Sequence, residues 1–413
     1  MKKLVLLIIV VLCSYNLYAQ VVSDVRFVDF YFKLSEAIFA DKNDENIVYC
    51  PFNTVMNIDL MLNGMDEESQ RKVLNSMGLD DYSICDLNKF VADELLRFDD
   101  HGSYYNISSY SILWKKKNLE FESDYEKFLE SIGLSMILSS SGESDVDFVS
   151  NVYYQDRWGI QPTDYVKNVF HNNNGKFVRV SMMDKLGGYL IHMKDFDIIH
   201  IPFSMAPKSD YPYSLSRSPL YYMICFFPHD TFDCTSLNAQ TLLEEEKMLW
   251  DQKYELCHIA MPRFKIGQRM CMDSYLKSIT GLDLQSDFVL SKMIKNECVS
   301  VPSMYQSATF QLYDLGVEAM DTKKRCKNEV KKNYVDFTVE HPFRFAIMNS
   351  ELDILLIGCV RNLEGEEVNM TAINPVNVSE KSSNEIYDLY GRKCSSMSKS
   401  GIYVVNGKKV MVK

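Results

Sequence analysis

Apolar residues between 27 and 40 recur at helical spacing. The run Asn46-Ile47-Val48-Tyr49-Cys50-Pro51-Phe52-Asn53 that follows reads as a short strand stopped by proline. Residues 55–62 with Gly64 predict a buried helix closed by glycine, and Asp66-Glu67-Glu68-Ser69 opens another that ends at Gly78. Towards the other end, residues 306–319 alternate apolar and polar positions with period two, as a strand with one buried face does. Residues 354–357 form a continuous apolar run before Gly358, the kind that fills a strand buried on both faces. Between these two β segments lies a polar run up to Asp336 that carries Lys323, Lys324, Arg325, Lys327, Lys331 and Lys332. So many charges cannot all be buried, and a long solvated loop held at both ends by strands usually carries function.

After Leu363 the pattern changes. Glu364-Gly365-Glu366-Glu367 begins a polar linker over 364–384, and 385–413 holds two β-rich runs around Asn406-Gly407, which predict a hairpin. At the start, Met1-Lys2-Lys3 leads into an apolar run over 4–12 and then Leu17-Tyr18-Ala19, the layout of a secretory signal peptide over 1–19. Cys13 would invite a lipoprotein reading, but bulky Leu12 before it is wrong for that processing. Residues 20–363 then form one large domain, and no later segment is long and apolar enough to span a bilayer.

The net charge of −12 argues against nucleic acid as a partner and makes the basic loop locally unusual. Ten cysteines remain after Cys13, with no Cys-x-x-Cys pair, and several sit in apolar runs, so free buried thiols are expected for most. Cys257-His258 beside Cys271 does not match zinc-ligand spacing. No nucleophile elbow, phosphate loop or metal motif is present, so neither an enzyme nor a cofactor is read from the chain, and no small-molecule site is legible.

The order, spacing and residue types of these blocks, with Arg157-Trp158, the paired Met182-Met183 and His258-Ile259-Ala260-Met261-Pro262-Arg263-Phe264, resemble the serpins over roughly 27–363. The resemblance implies an α+β fold with a large mixed sheet, smaller sheets and about eight helices. It places Cys50, Asn53, Asn151 and Gln306 in a network where the main sheet opens, and Trp158, Arg263 and Asp314 at the sheet top. It also exposes a departure. Serpins carry a helix across the front of the main sheet, whereas here residues 125–137 pass through Ser139-Ser140-Ser141-Gly142 straight to the next strand, so that covering helix is expected to be missing.

The resemblance further implies that the basic loop is bait for a protease. The protease acylates itself on the loop, and the cut loop enters the main sheet as a new strand. Gly316, Val317, Glu318, Ala319, Met320, Asp321 and Thr322 fall at the hinge, and the scissile bond falls among Val330, Lys331 and Lys332. A lysine there suits a trypsin-like partner and a valine an elastase-like one, with papain-like enzymes also in the family's range. The alternation that turns Val317 and Ala319 inward also turns Asp321, Lys323 and Arg325 inward. That favours, as the alternative, a non-inhibitory binding protein or a decoy substrate. A monomer is expected, exported to the extracellular space, the outer-membrane surface or the periplasm. The 385–413 segment resembles sorting tails of the type IX secretion system.

Overall fold

The computed structural model describes residues 24–97, 106–134, 137–140, 145–155, 158, 162, 164–203, 221–229, 237–312, 334–349 and 351–368, and short strands between 386 and 412. Contacts divide the chain into two units, 1–368 and 369–413. The first unit begins with α1 (Val25–Asp41), β1 (Ile47–Tyr49), α2 (Pro51–Leu62), α3 (Glu67–Ser76), α4 (Ile84–Arg97), β2 (Asn106–Lys116), α5 (Ser123–Ser131), β3 (Ile137–Ser140) and β4 (Val146–Gln155). It continues with β5 (Asp164–His171), β6 (Phe177–His192), β7 (Phe196–Pro202), β8 (Tyr222–Pro228), α6 (Ala239–Trp250), β9 (Glu255–Pro262), β10 (Lys265–Cys271), α7 (Asp273–Thr280) and α8 (Leu284–Asp287). It closes with β11 (Val289–Ile294), β12 (Glu297–Ser300), β13 (Met304–Gln311), β14 (Val335–Thr338), β15 (Phe343–Met348), β16 (Ile354–Val360) and β17 (Glu366–Glu367). The expected α+β class and eight helices are therefore present among the described residues.

Helix starts follow local chemistry. Asp24 accepts from the Arg26 amide ahead of α1, and Asp66 accepts from Ser69 ahead of α3, whose first turn carries Glu67 and Glu68. Pro51 occupies the first position of α2, where its missing N–H costs nothing. Every residue of α2 is buried, polar ones included, because it lies between two sheets. One sheet runs β10-β13-β4-β2-β3, and the other runs β1-β16-β15-β8-β7-β6-β9-β14 with β5 and β17 also on β6. Strands β15 and β16 are buried at every position, as the continuous apolar run predicts.

In the five-stranded sheet β3 and β4 flank β2 on opposite sides, and only residues 141–145 connect them. Lys116 of β2 fastens that link, donating its amide to Asp145 O at 3.0 Å and its ammonium to the Asp145 carboxylate at 2.7 Å. Five residues suffice to cross two strand spacings of about 4.8 Å at the sheet end but not to build a helix across the sheet face. The front of this sheet is accordingly uncovered by any described helix.

The boundary expected at residue 363 moves. Glu366 and Glu367 pair with Arg179 and Val178 of β6, and the Val368 amide donates to Phe177 O at 2.8 Å. The start of the stretch read as linker is thus strand. Within the second unit, four strands join in the order Lys393–Cys394, Ile386–Asp388, Gly401–Val405, Lys408–Val412. The last two pair antiparallel with Val405 opposite Lys408, leaving the two-residue Asn406-Gly407 connection.

Candidate functional site

Strand β13 leads into the basic loop, and its inward positions, Met304, Gln306, Ala308 and Phe310, are all buried. It pairs in parallel with β4 from Met304 opposite Phe148 to Phe310 opposite Tyr154. No strand lies between them. A chain turning back at the end of β13 runs antiparallel to both neighbours, so the slot between β13 and β4 is where it could be accommodated. Opening that slot requires the two strands to part from about 4.8 Å to about twice that spacing.

Helix α2 ties both edges of the slot. The Gln306 amide donates to Cys50 O at the start of α2, and the Asn57 amide, on the same helix, donates to Ser150 Oγ of β4 at 3.1 Å. Gln306 and Ser150 stand directly opposite each other across the pair. Gln306, Cys50 and Asn53 are therefore brought together, with Asn53 fully buried in the first turn of α2. Asn151 stands opposite Ser307 in the β4–β13 register, and its side chain lies outside the described residues. Val146, Phe148 and Ser150 alternate into the core. Ser150 fills an inward position, and residue type picks out neither it nor Asn57. Counting parity from Val146 would have found Ser150.

Burial pushes the Cys50 thiol up to about 12, against weaker opposing bonds from the Asn53 and Phe52 amides. It is a protonated core thiol, not a nucleophile. All seven cysteines whose state is described are free. Behind α2, Glu94 on α4 and Asp353, in the turn between β15 and β16, share the Arg97 guanidinium, each at 2.9 Å, and Glu351 stands 3.8 Å from it. Burial first, and then the Asp353 charge, hold the Glu94 carboxyl up to about 9 despite Arg97.

That proton gives a pH signature. The folded state keeps it while the unfolded chain releases it near the ordinary value of 4.5. The stabilisation is full below that value and is lost as pH rises toward about 9. The unfolding midpoint is expected to fall across this window, and Glu94→Gln to flatten that part of the profile. An unchanged pH profile in the variant would count against it.

At the top of the slot Trp158 is buried, bridges to Phe203 and stacks on its ring at 5.1 Å and 20°. The Arg263 guanidinium, just beyond β9, lies 4.7 Å from the centre of the Tyr165 ring. Asp314, the hinge residues 316–322 and the scissile positions 330–332 lie outside the described residues. The chain is described again from Tyr334, which stacks on His258 at 4.1 Å, and β14 then pairs in parallel with β9. On the uncovered front of the five-stranded sheet Tyr305 is exposed, with the Arg269 guanidinium 4.6 Å from its ring centre.

A family model described as serpin (serine protease inhibitor) matches residues 26–140 and 134–363. Among solved structures, the thermophilic serpin tengpin in its native state is 16% identical with a TM-score of 0.69, covering 82% of this chain and 94% of that one. Human glycosylated kallistatin is 16% identical with a TM-score of 0.68, covering 82% and 97%. Human thyroxine-binding globulin is 13% identical with a TM-score of 0.68, covering 82% and 97%. No curated protein matched the sequence.

Proposed function

The chain belongs to the serpin family, and on that premise we propose that it is an exported protease inhibitor that offers the loop after β13 as bait to a serine or cysteine endopeptidase. The observation that carries this reading is the closed slot. Strands β13 and β4 are paired directly, α2 is bonded to both, and the bait segment leaves from the end of β13, so a cut loop has a place to go. The protease supplies the nucleophile, and the chain supplies a sheet able to take up another strand.

Trypsin-like cleavage of the Lys331–Lys332 bond, or elastase-like cleavage of the Val330–Lys331 bond, starts the process. Asp321, Lys323 and Arg325 slow the insertion that follows, so most encounters end in released, clipped chain, and the protein shades into a decoy substrate. Incubation with trypsin-like, elastase-like and papain-like proteases, read on denaturing gels, is expected to give a minor covalent adduct and a majority of chain cut within 321–336. First cuts near 139–145 with that loop intact would sink the proposal.

For export, residues 1–19 are the signal and 385–413 the surface-sorting tail. Deleting 385–413 is expected to leave the first unit folded and the protein misplaced, because contacts separate the tail from that unit. Unchanged delivery would remove the sorting role.

A further inference from the structure

Just beyond the C-terminal end of β14 the first unit contains a half-open cavity of about 500 Å³, in the size range of small-molecule sites. Its apolar part comes from Phe227 and Phe337, whose ring centres are 5.0 Å apart, with Pro228 and Pro342 beside them. Its polar part comes from His171 and His341, stacked edge to face at 4.5 Å, and from Glu340. The His171 amide donates to Glu340 O at 2.7 Å, which holds the residue that bears the carboxylate against the end of β5.

Three features give the cavity a sign. No lysine or arginine lines it. The Glu340 carboxylate receives only a long bond, 3.4 Å, from the Asn168 amide, and neither imidazole makes a hydrogen bond among the described residues. Burial, aided by the neighbouring His341, holds His171 below its ordinary value, so it is neutral at physiological pH. His229 also lines the cavity, but it is 3.1 Å from Asp197, a carboxylate shared with His192 at 2.8 Å. Aromatic faces, the neutral His171 imidazole and one under-used carboxylate suit a cation that also carries a ring.

We propose that this cavity binds a small aryl-ammonium cation, its ring against Phe227 and Phe337 and its charge among Glu340, His171 and His341. An occupant there touches β5, β8 and β14 together. Among the described residues β14 has β9 as its single neighbour, so the occupant adds to the C-terminal anchor of the loop. Filling the cavity therefore slows the opening of the strand that carries the loop back into the sheet.

The test uses the full mature chain with benzyltrimethylammonium, whose charge does not titrate, and with benzoate as the oppositely charged counterpart. Calorimetry at about pH 8 is expected to show the cation binding at least about tenfold more tightly than benzoate. Below about pH 5.5 the cation is expected to bind progressively more weakly, because protonating His171 puts a like charge in the cavity. Glu340→Gln, checked for an unchanged unfolding midpoint, is expected to weaken binding about fivefold. His171→Phe keeps a ring against His341 and is expected to flatten the pH dependence. Saturating cation is expected to slow hydrogen exchange over 335–341. Equal or tighter binding of benzoate, no cation binding, or affinity unchanged by both pH and Glu340→Gln overturns the site. Cation binding with unchanged exchange overturns the link to the loop anchor.

Discussion

Cleaving the loop of the natural chain is expected to move the unfolding midpoint by less than about 3 °C, whereas the same cut in a chain carrying Asp321→Ala, Lys323→Thr and Arg325→Ala raises it by about 15 °C. A new central strand of about ten residues adds on the order of ten backbone hydrogen bonds, each worth about 1 kcal/mol net. For a unit of this size the entropy of unfolding is about 0.7 kcal/mol/K, which converts that gain to about 15 °C. The inward face of the slot is dry: Ser150 and Gln306 are 0% and 1% exposed, and α2 behind them is buried throughout. Three unmatched charges turned onto that face cost several kcal/mol each, enough to cancel the gain. A natural chain that becomes far more heat-resistant on clipping would show that the charges escape burial, and efficient trapping would then be the rule.

The uncovered sheet face bears on the same balance. In this chain no described helix lies between β3 and β4, and bonds on the inner side hold β13 and β4. There the bonds from Gln306 to Cys50 O and from Asn57 to Ser150 join one rigid helix to both strands. A device of this kind is sensitive to the polarity of what enters behind it, since every inward position meets buried α2 or the core beneath. On the proposed inhibitor reading, side-chain chemistry in the hinge then acts on insertion together with this inner tie.

Much of this was legible in the chain because it rests on local pattern. The alternation over 306–312 gave β13 and its inward face, the apolar run gave β16, and the short spacing after Ile137 announced the missing helix. Ser150 shows where residue type is a poor guide and parity a good one, since Val146 and Phe148 already point residue 150 inward. Other features depend on contacts no window contains. Arg97 reaches Asp353 across 256 positions, and β14 pairs with β9 although the whole of β10 to β13 lies between them in sequence. The cavity at His171 and His341 joins the end of β5 to the residues after β14, and neither histidine stands out in its own neighbourhood.

Gly358→Ala is expected to cost about 3–5 kcal/mol and to lower the first unfolding midpoint by about 4–7 °C, more than any exposed substitution. Gly358 stands in β16 between Val48 of β1 and Phe345 of β15. A Cβ there would overlap Phe345 Cζ, lie 2.5 Å from Cε1 of the same ring and 2.7 Å from Ile47 O. The carbonyl is fixed by the β1–β16 pairing and cannot retreat, so the ring must. Phe345 is held in turn by Phe310, 5.2 Å away on the inner face of β13, and by Phe264 at 5.8 Å. Displacing it therefore loosens the strand from which the loop springs, and hydrogen exchange over 304–311 is expected to quicken along with the loss of stability. Phe345→Leu removes the overlapping ring atoms, so the double variant should be less damaged than the two single losses added together, with the contact to Ile47 O keeping the rescue partial. Strict additivity would place the strain elsewhere, in the backbone of β1 and β16, and would disconnect Gly358 from the loop strand.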